Sequence, residues 1–335
     1  MTDPKGVRLA REIADDVLFP AAIKVDAGDD ALRTNLDLLA SEGFYGMAAP
    51  PELNRLELPD FQAACQVIEA LAGGCLTTSF VWAQHHNAVM AAANSSNPGI
   101  RERWLEPLCT GQYRAGLAIG AAVRPGPPLL RATKVDGGYV FDGEAPWVSG
   151  WGMLDVLYIA ARDEQDIIIW ALVDAREGDQ LTARPLDMVA VHASRTVHLA
   201  LDRYFVPDER ITGTMPQHVW AERDPATLRS HGSLCLGVTA RCCTLLGAGV
   251  WNGQLDACRE ALDSAGPEEL PAARAAAAEL ALRAAAMLTV TMGSRSVLLD
   301  EHGQRLLREA TFLLVFGSRP GIKAALLDRL GHNGR

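Results

Sequence analysis

Two adjacent histidines, His85 and His86, are the first candidates for proton chemistry in this sequence. They lie in the stretch FVWAQHHNAV (80–89), and a helix so apolar on every side is normally buried. Histidine changes charge near neutral pH, so one held against a bound group can act as a base or stabilise a negative charge. Both are candidate catalytic residues, and the alternative interpretation is a pair of structural histidines at a domain boundary.

Metal chemistry is not predicted. The spacing of His85, His86, His192 and His198 is not that of metal ligands, and no carboxylate cluster accompanies them. His192 is a weaker catalytic candidate, and we interpret it as a surface residue at the end of a strand.

The composition excludes several classes of function. Lys plus Arg is 31 and Asp plus Glu is 41 among 335 residues, a net charge of −10, so no basic face is expected to bind nucleic acid. The N-terminus has early acidic residues and no signal-peptide core, and no run of about 18 apolar residues predicts a membrane span. Seven scattered cysteines without a C-x-x-C pair predict reduced thiols and a cytoplasmic protein.

The pattern of elements divides the chain into three parts. Residues 1–112 have helical periodicity, 113–212 hold short β-rich runs, and 213–335 are helical again. Asp136 and Gly137 between two such runs predict a β-hairpin. The predicted class is α+β multidomain: an N-terminal helical domain, a small central β-barrel or sandwich, and a C-terminal helical bundle.

Three element boundaries follow from residue types. Pro20 is expected to end the first helix, because proline lacks the N–H that a helix interior needs. Val206–Asp208 is expected to end the sheet region. The stretch from Leu234 to Leu262 is expected to form one long helix.

Four segments resemble the acyl-CoA dehydrogenase family, and together they cover nearly the whole chain. Tyr139–Gly150 (YVFDGEAPWVSG) is similar to the family pattern Y-x-x-x-G-x-K-x-W-I-T/S-N. Gly293–Ile322 is similar to the family's last motif, which contains G-G-x-G-Y, E-R-x-x-R-D-A and I-Y-E-G-T-x-x-I. Gly43–Glu52 and Ala193–Ile211 are weaker matches. The resemblance implies FAD as cofactor and an acyl-CoA or other acyl thioester as substrate.

The resemblance also implies which residues hold the flavin. Trp147 corresponds to the tryptophan that packs against the flavin ring, and Ser149 to the hydroxyl residue that hydrogen-bonds it. An indole gains stacking and area burial against a flat apolar ring. Ile119 and Gly120 correspond to the strand end at the flavin edge.

Three further residues would contact the FAD of a neighbouring subunit. Arg259 corresponds to an arginine at the end of a long helix, and Gly293 and Arg295 to a glycine-rich turn. A pyrophosphate needs cations or helix N-termini. This arrangement implies a homodimer or a tetramer, and solvated helix arginines are the alternative interpretation.

The sequence departs from the family at the catalytic base. The glutamate of Y-E-G-T corresponds to Gly317, and the second position used in the family, near Ala226–Leu228, has no carboxylate. Removal of an α-proton needs a base within hydrogen-bond reach. The loop from Gly120 to Pro128 also differs from the family's flavin loop.

Three functions remain open. The main hypothesis is a dehydrogenase of acyl thioesters that obtains its base from an unusual side chain or from a partner subunit, a full-length homologue in a heteromer. The second is a flavin monooxygenase on the same fold that uses His85 or His86. The third is a non-catalytic subunit of a heteromeric dehydrogenase.

Overall fold

The computed structural model describes residues 3–28, 30–247, 249 and 251–331. Within them, a single eight-stranded sheet follows one helical region along the chain and precedes another. The N-terminal helices are α1 (Lys5–Ile13), α2 (Phe19–Asp26), α3 (Ala31–Ser41), α4 (Phe61–Gly74), α5 (Leu76–Asn94) and α6 (Pro98–Thr110). Asp60 begins α4 by accepting a hydrogen bond from the Ala63 N–H at 2.8 Å, an ordinary N-cap.

The first helix passes through Pro20, contrary to the prediction. A π-helical turn, Ala14–Leu18, joins α1 to α2, so Pro20 falls in the first turn of α2. The first turn of a helix tolerates proline, because its N–H groups have no partner within the helix.

The sheet forms the central region. Its strands are β1 (Ala115–Ala118), β2 (Leu130–Val135), β3 (Gly138–Val148), β4 (Val156–Arg162), β5 (Ile167–Asp174), β6 (Leu181–Pro185), β7 (Val197–Pro207) and β8 (Ile211–Pro216), with a short helix α7 (Gly120–Val123) after β1. The strand order is β6-β7-β3-β2-β4-β5-β8, and β1 pairs with β4 in parallel.

The hairpin predicted at Asp136 and Gly137 is present, since Val135 pairs with Gly138 and the strands continue as β2 and β3. The end of the sheet was predicted too early. β8 follows Asp208 and pairs with β5, so the sheet runs past 212 to Pro216.

The C-terminal helices are α8 (Gln217–Arg223), α9 (Leu228–Leu246), α10 (Asn252–Ser264), α11 (Leu270–Met292), α12 (His302–Val315) and α13 (Pro320–Gly331). The long helix predicted over Leu234–Leu262 is wrong. Gly247, with a φ of +65°, ends α9, and α10 turns back along it so that Leu262 packs on Gly232.

The two helical regions share one hydrophobic core. Leu36 and Trp82 from the N-terminal side belong to the same buried cluster as Val238 and Leu306 from the C-terminal side. Helix α4 crosses α9 closely, because a Cβ on Gly237 would lie 2.3 Å from the Glu69 carbonyl oxygen. The segment 270–297 is long and apolar enough to cross a bilayer by length and composition, and half of its apolar window is buried in this bundle.

Candidate functional site

Trp147 stands out from the sheet in a conformation that is unusual for tryptophan. The β3–β7 pairing shifts register between Ala145 and Val148, and at this bulge Trp147 has a φ of +65°. Its side chain remains 57% exposed. Bulges re-aim side chains, and a non-glycine residue at positive φ is held there by its surroundings. The result is an open indole face at the end of β3.

A chain of buried hydroxyls lies directly after Trp147. The Ser149 and Thr196 hydroxyl oxygens are 2.7 Å apart, and those of Ser194 and Thr196 are 2.8 Å apart. The Gly150 N–H donates to the Ser194 carbonyl at 2.6 Å, which ties the two segments together. Because all three hydroxyls are buried, the position of Ser149 is fixed by its neighbours.

Ile119 and Gly120 lie at the end of β1 near this chain. A Cβ on Gly116 of β1 would lie 3.3 Å from the Ser149 carbonyl oxygen, and α7 packs on β3. A Cβ on Gly120 would approach only the Arg124 guanidinium, at 3.9 Å, so this backbone is open. We call Ile119, Gly120, Trp147 and Ser149 the sheet-edge site.

The altered loop after α7 borders a groove of about 600 Å³. The Arg162 guanidinium donates to the Gly126 carbonyl, and this hydrogen bond holds the proline-rich loop against the sheet. The same guanidinium lies 3.5 Å from the Asp166 carboxylate. The groove is lined by Pro125, Gly126, Pro127, Pro128, Arg162, Asp166, Gln217, His218 and Ala221.

His85 has a structural environment. Its Nε2 lies 3.0 Å from the Leu108 carbonyl oxygen, and its Nδ1 accepts the Ala115 N–H at 3.0 Å. Burial lowers the pKa of His85 to about 3, so the ring is neutral. Both nitrogens hold backbone groups, which leaves none for catalysis in this conformation.

His86 differs from its neighbour. It is buried, and neither ring nitrogen has a partner among the described residues. Its ring packs edge-on against Trp82, with centroids 4.6 Å apart. Burial, with a smaller effect of His85, lowers the pKa of His86 well below its ordinary value. Of the two predicted histidines, His86 alone has nitrogens free for a ligand.

Arg259 is not at the end of a long helix. It lies on the returning helix α10, where its guanidinium contacts both oxygens of Glu69 at 2.6 and 3.1 Å and Asp256 at 2.6 Å. These carboxylates, Glu69 first, raise the pKa of Arg259 above its already high value. Within one chain, Arg259 ties α10 to α4.

Gly293 and Arg295 lie in the turn after α11. Gly293 has a φ of +67° and no atom near its missing side chain. Arg295 is exposed and pairs with Glu301 at 2.5 Å. Their predicted contact with a neighbouring subunit's FAD involves a second chain and stays a prediction.

Gly317 corresponds, by the sequence resemblance, to the family's catalytic glutamate. The space beside it is occupied by a side chain from another helix. A Cβ on Gly317 would lie 3.0 Å from Nδ1 of His231 on α9. This Nδ1 is buried and has no hydrogen-bond partner among the described residues, although the residue as a whole is half-buried. The ring also packs on Phe316, with centroids 5.1 Å apart. The imidazole thus occupies the space in which a side chain of residue 317 would begin.

Two guanidinium groups lie near this imidazole. Arg274 is buried and donates to the Leu313 and Phe316 carbonyls at 3.0 and 3.4 Å. Arg319 pairs with both oxygens of Asp224 and donates to the Gly317 carbonyl. Burial first, and these arginines next, lower the pKa of His231 to about 3. We call His231, Arg274, Gly317 and Arg319 the residue-317 site.

The sheet-edge site fits a flavin. The exposed indole of Trp147 offers a stacking face, and the open backbone at Gly120 would admit a ring edge. The fixed hydroxyl of Ser149 follows Trp147 by two residues, and the Ser149 carbonyl lies against Gly116 of β1, the strand that leads to Gly120.

Sequence reasoning missed three residues of these sites. Thr196 and Ser194 lie in the weakly matching segment Ala193–Ile211, which implied no role for them, and only their proximity to Ser149 in the fold gives them one. His231 lies one turn beyond Thr227, close to the helix position searched for a carboxylate. A search for any basic side chain there would have found it.

Comparison with known proteins gives consistent results. The sequence model of the family described as "Acyl-CoA dehydrogenase, N-terminal domain" matches residues 7–112. The chain is 24% identical over 214 residues to a mitochondrial 2-methylacyl-CoA dehydrogenase of Solanum tuberosum, covering 60% of this chain and 51% of that protein. The chain thus spans about half the length of this curated relative.

Solved structures match over the whole fold. Butyryl-CoA dehydrogenase from Megasphaera elsdenii superposes with a TM-score of 0.81 at 15% identity, covering 98% of each chain. PigA with FAD and proline superposes with a TM-score of 0.79 at 18% identity, covering 99% of this chain and 98% of that one. At these identities the likeness shows the fold alone.

Proposed function

We propose, from the premise that this chain belongs to the acyl-CoA dehydrogenase family, that it is a flavin-dependent oxidoreductase acting on the CH–CH group of an acyl thioester. The observation that carries the proposal is the sheet-edge site. Its exposed indole, fixed hydroxyl and open strand end are the groups that a flavin ring requires.

FAD, when bound, supplies a hydride acceptor. The chain's own residues bind and orient it. Trp147 offers a face for the ring, and Ser149, held by Thr196, offers a hydroxyl for its polar edge. Since Thr196 and Ser194 are themselves buried, this hydroxyl is placed before any ligand arrives.

The base does not come from residue 317, because glycine has no side chain. It comes either from another residue of this chain or from a partner subunit, which we take to be a full-length homologue in a heteromer. In both cases a homo- or hetero-oligomer is part of the proposal. A cytoplasmic location also belongs to it, in keeping with seven unpaired cysteines.

The experiment is an anaerobic titration of the purified, flavin-loaded protein with acyl-CoA thioesters of increasing chain length. Loss of the visible flavin band is expected with at least one thioester, because hydride transfer reduces the flavin. The free carboxylic acid of the same chain length is the control and should leave the band unchanged. A bound flavin that no thioester bleaches, either in the chain alone or after a full-length homologue is added, would contradict the proposal.

A monooxygenase is the second candidate, and the unpartnered nitrogens of buried His86 favour it. A neutral imidazole that faces a reduced flavin could hold or accept a proton during oxygen chemistry. Oxygen uptake with chemically reduced flavin tests this candidate. His86→Ala should abolish substrate-dependent uptake, whereas unchanged uptake would remove the candidate.

His85 provides the matched comparison for that experiment. Its nitrogens bond to Leu108 and Ala115, so His85→Ala should lower stability without a specific effect on oxygen uptake per folded molecule.

A further inference from the structure

The space at residue 317 is occupied by an imidazole. Gly317 has a φ of +60°, and His231 Nδ1 lies 3.0 Å from the point where its Cβ would be. An L side chain at this position would be strained and would press on the ring. Glycine and histidine are therefore complementary here, and the ring takes the volume of the missing side chain.

The two ring nitrogens have different surroundings. Nδ1 is buried against Gly317, whereas the residue as a whole is half-buried. Nε2, the second ring nitrogen, has no hydrogen-bond partner among the described residues. Phe80, Phe312 and Phe316 form an aromatic cluster with centroids 5.1 to 5.4 Å apart, and Phe316 contacts the imidazole.

We propose that His231 is the proton acceptor that replaces a carboxylate at residue 317, taking the α-proton of the acyl thioester at Nε2. The proposal rests on the proposed function, since it assumes a thioester substrate. In the step, the Cα–H bond breaks, the proton goes to Nε2, and the electron pair remains on the thioester as its enolate.

The charged groups around the ring decide how it behaves with pH. Arg274 of α11 and Arg319 after α12 face it, and Asp224 is held by Arg319. Cys235 lies one turn along the same helix, with its Sγ 4.0 Å from the His231 carbonyl oxygen. Burial and the two guanidiniums keep the pKa of His231 at about 3, so Nε2 or Nδ1 always has a free lone pair above pH 5.

The same surroundings make His231 a weak base, because an imidazolium would lie beside two positive charges. A general base works best when its pKa lies near the operating pH. We therefore expect slow proton removal that does not vary between pH 5 and 8. An ordinary histidine would instead lose activity as the pH falls below about 6.5.

The test is exchange of the α-protons of butyryl-CoA in D₂O, followed by mass spectrometry. The protein is used as purified with its flavin, reduced beforehand with dithionite so that hydride cannot leave the substrate. His231→Gln should lower the exchange rate by about 100-fold or more, the usual contribution of a general base. His198→Gln on β7, where the imidazole pairs with Glu144 at 3.2 Å, is the matched control and should exchange like wild type.

A rescue variant addresses folding and role together. Aspartate tolerates positive φ better than most residues, so Gly317→Asp combined with His231→Ala should return a carboxylate to the site. Exchange in this double variant should exceed that of His231→Ala alone by tenfold or more. Should His231→Gln not fold, the shorter amide variant His231→Asn is measured in its place, and exchange within threefold of wild type overturns the role of His231.

The outcomes separate this inference from the proposed function. Wild type that bleaches its oxidised flavin with thioesters, together with His231→Gln exchange within threefold of wild type, overturns the role of His231 alone. Wild type that exchanges α-protons through His231 but bleaches no flavin overturns the oxidoreductase proposal alone. Wild type that does neither overturns both.

Discussion

The sheet-edge site and the residue-317 site differ in what their polar groups bond to. At the sheet edge, the hydroxyls are joined to one another and the aromatic face is left open to solvent. At residue 317, guanidiniums bind helix carbonyls and Asp224, and an imidazole fills the gap left by glycine. The contrast agrees with the two proposals above: an open face for a flat cofactor at the sheet edge, and a proton acceptor other than a carboxylate beside residue 317.

The largest expected effect is a loss of folding stability at acid pH, which should depend on the residue-317 site and not on the sheet-edge site. The pKa of His231 and of His85 is about 3 in the folded protein, below the ordinary value of 6.5. The unfolded chain binds protons first as the pH falls, so stability is complete above pH 6.5 and decreases below it. Each histidine should cost about 2 kcal/mol between pH 6.5 and 5.

Urea unfolding at a series of pH values measures this loss. His231→Gln should reduce the slope of stability against pH below 6.5, whereas Trp147→Ala at the sheet edge should leave it unchanged. A stability that stays constant from pH 6.5 to 5 would show that these histidines are not buried as neutral rings.

The hydroxyl chain is expected to matter for stability at the sheet edge. Thr196→Val keeps the shape of the side chain but removes the hydroxyl that bridges Ser149 and Ser194. The loss should be about 1–3 kcal/mol, because buried hydroxyls lose a partner. Denaturant unfolding measures it, and the exposed Thr214→Val on β8 is the control that should show little change. Equal losses of stability in Thr196→Val and Thr214→Val would mean that the three hydroxyls do not form a fixed hydrogen-bond network.

Trp147 should matter for the cofactor rather than for the fold. With its indole 57% exposed, Trp147→Ala should leave the melting temperature nearly unchanged. FAD affinity should fall about tenfold, which corresponds to about 1.4 kcal/mol of stacking and area burial. Fluorescence titration with FAD provides the measurement, and Trp147→Phe should retain part of the affinity. Unchanged FAD affinity in Trp147→Ala would place the flavin elsewhere.

The smallest effect is expected at Arg295. Its pair with Glu301 is at the surface, and such pairs contribute little to stability. Arg295→Ala should therefore melt like wild type. If Arg295 contacts the FAD of a neighbouring subunit, the variant will nevertheless bind FAD more weakly, and an unchanged affinity would remove that predicted contact.

Local patterns predicted much of the fold. Asp136 and Gly137 supply the turn chemistry of the hairpin, and Asp60 supplies an N-cap, so both elements follow from adjacent residues. The break after α9 does not, because apolar spacing continues on both sides of Gly247 and only packing decides that α10 turns back. Pro20 was misjudged because a π-turn moved it into a first turn.

In the candidate sites too, adjacent residues were predictable and residues brought together by packing were not. Trp147 and Ser149 lie in one segment, so the motif was enough to predict that they lie together, and their contact with a flavin stays a prediction. The residue-317 site joins α9, α11 and the end of α12, which are far apart in sequence. His231 has no motif of its own. Its proposed role as proton acceptor depends on Gly317, a glycine that only folding brings close to it. Arg259 lies on the returning helix α10 and not at the end of one straight helix, and its predicted contact with a neighbouring subunit's FAD stays a prediction.

The most direct test of the central claim is whether the chain, purified alone, holds FAD. A visible spectrum with flavin extraction and quantification gives the ratio of FAD to protein. We expect bound FAD, or its recovery on adding FAD, with binding weakened by Trp147→Ala. A chain that binds no FAD until a full-length homologue is co-expressed would contradict the claim that this chain forms a complete FAD site by itself. That result would favour a non-catalytic subunit.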